Sequence, residues 1–408
     1  MQRGLKGEAD PVHVATSAPS DRSQRLRLYM VIVFFWASVY VFVPIMAPYA
    51  EHRGASLQTV GWLVSAYGLA QLILRIPLGV WSDSLRTRRP FILVGFLASF
   101  IGAIGMGFID SATAMIFFRG LTGVCASMWV LLSVWYASHF DPAQTGKAMG
   151  LAMMLTNSTQ LAANLSGGAI ADIWGWQAPF LCAALLALCG FAITRTLDES
   201  PPSGSPPKLR DLLHMGKEPQ LLTVSLLAAL LQAVPYMSVY GFTSVYATEL
   251  GATKTQLGLV TFAAGLPNAV FAYIGGTVLV PRLGSRHVVL AGFFVAMLGL
   301  ALFPYADSVW VLLAFQMLVG AGMGLAFPAL MALSIAAVPE ERRATAMGFF
   351  QSLYSLGMFG GPVLGGALGQ HLGLTAVFSG AAVIAGIGFV GAAVFLHGQP
   401  SFGAARAG

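Results

Sequence analysis

Two arginines stand where arginine is expensive. Arg75 lies in the apolar stretch 57–81 and Arg119 in the apolar stretch 112–137. A guanidinium at the centre of a membrane helix costs roughly 2.5–3.5 kcal/mol on insertion scales, so it must face protein or a wetted cavity. Arg75 is seven residues before Ser82, about 10 Å of helix inside one end of its stretch. Arg119 is seven residues after Ala112, about 10 Å inside the opposite end. The pair could bracket a mid-membrane site from either side. All 16 acidic residues fall in tails, loops or helix ends, which leaves the pair without an evident buried counter-ion. Such a cavity suits an anion, because a carboxylate or phosphate can take paired N–H donors from a guanidinium. Structural roles stand beside this reading. Arg75 could snorkel to an interface or bond carbonyls freed by Pro77, and Arg119 could serve as a hydrogen-bond hub in its helix.

Other polar and aromatic residues recur at helical spacing and could line the same cavity. Trp36 and Tyr40 are four apart, and Gln232, Tyr236 and Tyr240 repeat every four residues. Asn157, Gln160 and Asn164 share one helical face, and Gln351 and Tyr354 share another. Gln71, Asn268 and Gln316 complete the set. Individually, such amides are as often interhelical glue as ligands. Aromatic residues near span ends often anchor at the interface. No nucleotide-binding Gly-rich loop, no zinc-ligand spacing and no nucleophile–base pair accompanies them, so neither an enzyme nor a bound cofactor or metal is expected. Cys125, Cys182 and Cys189 fall inside apolar runs and read as small hydrophobes.

The elements that must hold these residues follow from composition. Of 408 residues, 57% are hydrophobic and 9% charged, against about 25% charged in an ordinary soluble domain. A water-exposed surface cannot be built from so few charges. Twelve long apolar segments recur, at 28–50, 57–81, 90–109, 112–137, 148–170, 176–196, 220–248, 255–279, 287–305, 309–335, 345–370 and 374–396. Each is long enough for a transmembrane helix, and short alternating strands of a membrane barrel are absent. The expected fold is an all-α integral membrane protein with twelve transmembrane helices in two pseudo-symmetric six-helix bundles, 28–196 and 220–396. The connector 197–219 contains Pro201, Pro202, Pro206 and Pro207 and reads as a linker. Residues 1–27 and 397–408 read as tails, the first with no apolar core of a cleaved signal peptide.

Basic residues set the expected orientation. With both termini in the cytoplasm, 18 of the 22 Lys and Arg lie on that side; Arg53 and Lys254 lie outside, and Arg75 and Arg119 lie within spans. The net charge of +6 is thus a topology signal, and no nucleic-acid partner is expected. The halves also repeat. Ala148-Met149-Gly150 returns as Ala346-Met347-Gly348, and Glu51 as Glu249, both at an offset of 198. Gly61 pairs with Gly258, Gly79 with Gly276 and Gly123 with Gly320 at 197. Gln71 and Asn268 are repeat mates, as are Arg119 and Gln316. A duplicated six-helix unit is the parallel-repeat design of many secondary transporters, with substrate bound between the halves near the bilayer midplane.

The segment from Gly79 through Asp83 to Arg88 and Arg89 resembles the signature loop of the major facilitator superfamily, Gly-x-x-x-Asp-Arg-x-Gly-Arg-Arg/Lys-Arg/Lys. Ser84, Arg86 and Thr87 depart from it. The resemblance implies that Asp83 helps to lock the state closed at the cytoplasmic side, gripping an adjacent Arg or a helix N-terminus. Arg119-x-x-Thr122-Gly123 resembles the Arg-x-x-Gln-Gly pattern of drug/proton antiporters. Gly357-x-x-x-Gly361-Pro362-x-x-Gly365-Gly366 resembles their Gly-x-x-x-Gly-Pro-x-x-Gly-Gly signature, displaced here to the eleventh helix. Close helix packing explains that spacing equally well. Leu74-Arg75-Ile76-Pro77 is similar to a nitrate/nitrite transporter string in which the Arg holds the anion.

These readings together predict a secondary transporter of the inner (plasma) membrane, monomeric and surrounded by lipid, working by alternating access. The expected activity is proton-linked export of a small organic compound bearing an anionic group. Uptake or exchange of an organic or inorganic anion and multidrug efflux are the alternatives, and a non-transporting sensor on the same scaffold is a remote one. Arg75, Arg119 and the polar and aromatic set are the expected substrate contacts. Gly79, Asp83, Arg88, Arg89, Gly361 and Pro362 are the expected gate.

Overall fold

The computed structural model describes residues 22–140, 144–198, 217–336, 338–339 and 342–397. The tail ahead of residue 22, most of the 197–219 connector and the tail after residue 397 lie outside them. Apolar runs with no strand-like alternation fold into twelve long helical segments. These are α1 (Arg22–His52), α2 (Leu57–Ser84), α3 (Arg89–Phe108), α4 (Ala112–Ala137), α5 (Thr145–Trp174) and α6 (Ala178–Arg195) in the first half. The second half holds α7 (Pro219–Glu249), α8 (Lys254–Leu283), α9 (Ser285–Tyr305), α10 (Val309–Ala336), α11 (Arg343–Leu372) and α12 (Leu374–Phe395). Ten are apolar and long enough to cross a bilayer. The other two, α5 and α11, are 30 residues each but are diluted by Asn, Gln, Ser and Thr. The protein is an all-α membrane protein.

Several helices outrun the apolar stretches that announce them. α1 begins at Arg22 rather than 28, because its polar first turns have partners. Gln24 bonds the His139 ring at 3.1 Å and the Asp198 carbonyl at 3.2 Å, and Arg27 donates to the Thr196 carbonyl at 2.8 Å. Broken points also recur. α1 is interrupted at 41–42, α4 at 128 and α7 at 238–241, so six-helix bundles are built from kinked pieces.

Packing repeats between halves. In the first half α1 packs on α5 and α6, and α4 on α2 and α3; in the second, α7 packs on α11 and α12, and α10 on α8 and α9. Tyr49 of α1 donates to the Gly107 carbonyl at 2.8 Å, and Tyr246 of α7, its repeat mate, donates to the Ala306 carbonyl at 3.3 Å. The halves meet along two seams, α2 against α11 and α5 against α8.

Both seams are tightest at the end away from the chain termini, here the far end. A methyl group added to Gly366 of α11 would sit 3.0 Å from the Cα of Gly61 in α2. One added to Gly168 of α5 would sit 2.8 Å from the Gly258 nitrogen in α8. Gly61 and Gly258, and Gly168 and Gly366, are repeat mates. The duplication has therefore placed one glycine-on-glycine crossing in each seam. Ser65 adds a 2.8 Å bond to the Phe359 carbonyl in the α2–α11 seam. The α5–α8 seam adds Thr255 to the Asp172 carboxylate at 2.7 Å, and the Lys254 ammonium 4.5 Å above the Trp176 ring. The molecule is closed at the far end. Towards the terminal end, side chains added at Gly79, Gly146, Gly150 or Gly276 would meet nothing among the described residues.

Candidate transport site

Below the far-end closure lies a layer of aromatic rings from both halves. Tyr40 of α1 meets Tyr240 of α7 at 6.3 Å between ring centroids. Tyr67 of α2 and Tyr236 of α7 are 6.2 Å apart and only 17° from parallel. Tyr236 and Tyr240 pack at 4.9 Å, Tyr240 lying in the 238–241 break of α7. Trp36 extends the layer, 5.8 Å from Tyr40 and 5.3 Å from Trp129. Its indole N–H is buried without a partner.

Arg119 and Arg75 flank this layer. Arg119 is 3% exposed. Its guanidinium lies 4.4 Å from the Tyr67 ring and 5.5 Å from the Phe42 ring, and it donates to the Thr122 hydroxyl at 3.1 Å. The aromatic faces offer it their negative quadrupoles, but its Nε has no partner. Arg75 reaches across the seam. It donates to the Tyr354 hydroxyl at 2.7 Å and to the Gln351 amide oxygen at 3.4 Å, both on α11, and to Gln71 on its own helix. The Tyr354 ring lies 5.4 Å from the same guanidinium, and here too Nε is buried and unpartnered. Neither arginine meets a carboxylate among the described residues. Snorkelling and bonding to carbonyls freed by Pro77 do not describe Arg75, whose partners are side chains of the inter-half seam.

The expected set thus divides. Arg75, Gln71, Gln351 and Tyr354 form one network, and Arg119, Trp36, Tyr40, Tyr236 and Tyr240 belong to the ring layer. Gln316, the repeat mate of Arg119, is fully buried with both amide atoms unpartnered. Gln232 and Asn268 are half-buried, Gln160 is half-buried and Asn157 is exposed; none of these joins the arginine networks. The α5 amide turned inward is Asn164, 5% exposed with an unpartnered Oδ1.

Tyr67 was not among the expected contacts, yet it touches both Arg119 and Tyr236. Its signal was present, since Tyr67, Gln71 and Arg75 follow one another at four-residue spacing on one face of α2. Phe42 and Trp129 carried no such signal, because one apolar ring in an apolar helix resembles every other.

The expected gate is placed in part. The side chain of Asp83 lies outside the described residues. Arg88 is buried and Arg89 donates to the Arg195 carbonyl. Between them and Asp83 the chain turns through a left-handed residue, Arg86 at φ 51°. The superfamily signature carries glycine there, and so does the second half of this chain, where the repeat mate Gly284 has φ 80°. On α11, a methyl group on Gly361 would sit 2.7 Å from the Ala233 carbonyl. The Pro362 carbonyl abuts Gly61. The Gly-Pro signature therefore packs α11 against α7 within its own half and against α2 of the other.

Two six-helix repeats with paired crossings and a polar centre between them are matched in known sequences. The profile described as Major Facilitator Superfamily fits residues 28–248 and again 225–406. The chain belongs to the Major Facilitator Superfamily. A superfamily member called an MFS-type transporter in Methanocaldococcus jannaschii is 23% identical over 365 residues, covering 83% of this chain and 89% of its own. The multi-drug resistance efflux pump PmrA of Streptococcus pneumoniae is 26% identical over 356 residues, covering 84% of this chain and 88% of its own. The solved structure of nucleoside transporter NupG superposes with a TM-score of 0.75 at 16% identity, over 91% of this chain and 98% of that one. At that identity the likeness is one of fold. This superfamily chain is a membrane transporter.

Proposed function

We propose that the chain exports a small organic anion by alternating access, linked to proton movement, with the site between Arg75 and Arg119. One observation carries this reading. Two guanidiniums sit within the bundle on aromatic and neutral polar partners, with no carboxylate opposite either among the described residues. A charge that stays buried without a counter-ion is costly, and an anionic substrate would supply what the fold withholds. In this reading the termini lie in the cytoplasm, as the Lys and Arg distribution requires. The state described above is then the one closed to the outside. Rocking of the halves would part the two glycine crossings at the far end and close the terminal end. Export rests on the antiporter-like patterns at Arg119 and Gly357–Gly366.

Multidrug efflux is the second reading, favoured by the similarity to PmrA and by the ring layer, which could take flat apolar compounds. Flux into vesicles of the reconstituted chain separates the two. Anion-selective flux that is lost in Arg75→Ala supports the first. Flux of hydrophobic cations that survives Arg75→Ala supports the second.

A further inference from the structure

We infer that the transported anion is aromatic: a flat ring bearing a carboxylate, with the ring taken by Tyr67 and Tyr236 and the carboxylate by a flanking arginine. This rests on the anion reading above and narrows it.

The argument starts from which contacts must break. Tyr67 belongs to one half and Tyr236 to the other, and they face each other almost in parallel, 17° apart. Tyr40 and Tyr240 form a second inter-half ring contact beside them, edge-on at 75°. When the halves rock, these inter-half ring contacts separate, and the Tyr67 and Tyr236 faces, 3% and 7% exposed in the present state, lose their partners. An aromatic substrate restores them, because offset stacked and edge-on ring pairs are favourable beyond the area they bury. A saturated ring of equal size covers the same area without the quadrupole match.

The charge lies where such a ring would put its acid group. Arg119 already rests on Tyr67, 4.4 Å from its ring. Arg75 follows Tyr67 by eight residues, about 12 Å along α2, on the other side of the layer. Each keeps a buried Nε–H with no acceptor among the described residues. The Nε–H and a neighbouring Nη–H form the fork that binds a carboxylate in two parallel bonds. Among the described residues Arg119 has one hydrogen-bonding side-chain partner, the Thr122 hydroxyl, and so can receive a carboxylate without displacing a network. The site is therefore a cation set against rings, not a cation paired with acids, and the ligand that completes both is an arene carboxylate.

The test uses the solubilised full-length chain and three probes of nearly one size: benzoate, cyclohexanecarboxylate and benzamide. Affinity is read by thermal-shift titration. The expected result is that benzoate binds about tenfold tighter than cyclohexanecarboxylate, the effect of ring-on-ring contacts at this geometry, and that benzamide does not bind. Tyr236→Phe keeps the preference and Tyr236→Leu reduces it to near unity. The comparison in the unaltered chain stands even if the Leu variant fails to fold. Equal affinity for the two carboxylates overturns the aromatic assignment and leaves the anion reading in place. Benzamide binding without benzoate binding overturns the anion reading itself. Binding of none of the three overturns the single-ring class.

Discussion

Arg75 of α2 and Tyr354 of α11 join the two halves of the molecule by a 2.7 Å hydrogen bond, with the tyrosine ring beside the same guanidinium. The donor is thus both the cation of the candidate site and a strut across the seam that must open. An anion that draws the guanidinium away would loosen the state closed at the far end. Binding and gating would then share one side chain.

Removing only the acceptor tests the strut. Tyr354→Phe keeps the ring and deletes the hydroxyl. A hydrogen bond to a charged group contributes about 1.5–3 kcal/mol, so the population open at the far end should rise about tenfold or more. A cysteine placed at Ser65, buried in that seam, should label with a membrane-impermeant maleimide correspondingly faster. Unchanged labelling would show that the strut does not hold the seam.

The glycine crossings make a sharper steric prediction. Gly366→Leu places a branched side chain where the Gly61 Cα lies 3.0 Å from a bare methyl position. The far end should fail to close, and substrate flux should fall to background while the cysteine at 65 stays reactive. Gly360→Leu, on the exposed face of α11, is the control. Its side chain enters space empty of described residues and should leave flux within about twofold, as surface changes outside such features usually do.

At the far end the α5–α8 seam is held by the charged side chains Asp172 and Lys254. Trp176→Leu removes the face under Lys254, a contact of about 0.5–1 kcal/mol at an exposed site. The expected outcome is a two- to fivefold (roughly, by that energy) rise in far-end opening, measured as spin-label distance distributions across the seam. Asp172→Ala, which removes the acceptor of Thr255, should shift the distribution the same way.

Much of this architecture was legible in the sequence. Apolar stretches gave the spans, because a membrane helix must be apolar over nearly its whole length. The 197–198 residue offset gave the duplication, and Gly61, Gly168, Gly258 and Gly366 show why it survives: at a backbone crossing no other residue fits. The site was only half legible. Arg75 and Arg119 announce themselves by cost, and Gln71, Gln351 and Tyr354 by helical spacing, but which of them meets which is not legible. Tyr354 and Gln351 sit across an interface between halves that no local pattern specifies. Phe42 is one apolar ring among many. Asn157 and Gln160 share a helical face with Asn164, yet only Asn164 is turned into the packed part of α5, because the helix twists across a seam whose position depends on α1 and α8.

The loop between α2 and α3 and its repeat mate between α8 and α9 offer a stability test. Gly284 holds a positive φ with extended ψ (80°, 154°) without cost, while its mate Arg86 holds a positive φ with a Cβ. Gly284→Ala should cost about 1–3 kcal/mol and lower the melting temperature in detergent. Arg86→Gly should be nearly neutral. Its relief of about 1 kcal/mol is offset by the roughly 0.5–1 kcal/mol entropy cost of glycine.

The most direct test of the central claim is anion exchange by the reconstituted chain, measured beside Arg75→Ala and Arg119→Ala with both variants checked for folding by melting temperature. The account predicts saturable exchange of an organic anion by the unaltered chain that disappears in each folded variant. Exchange that persists in both variants, or a preference for neutral or cationic solutes that neither substitution alters, would contradict it and make the two arginines structural.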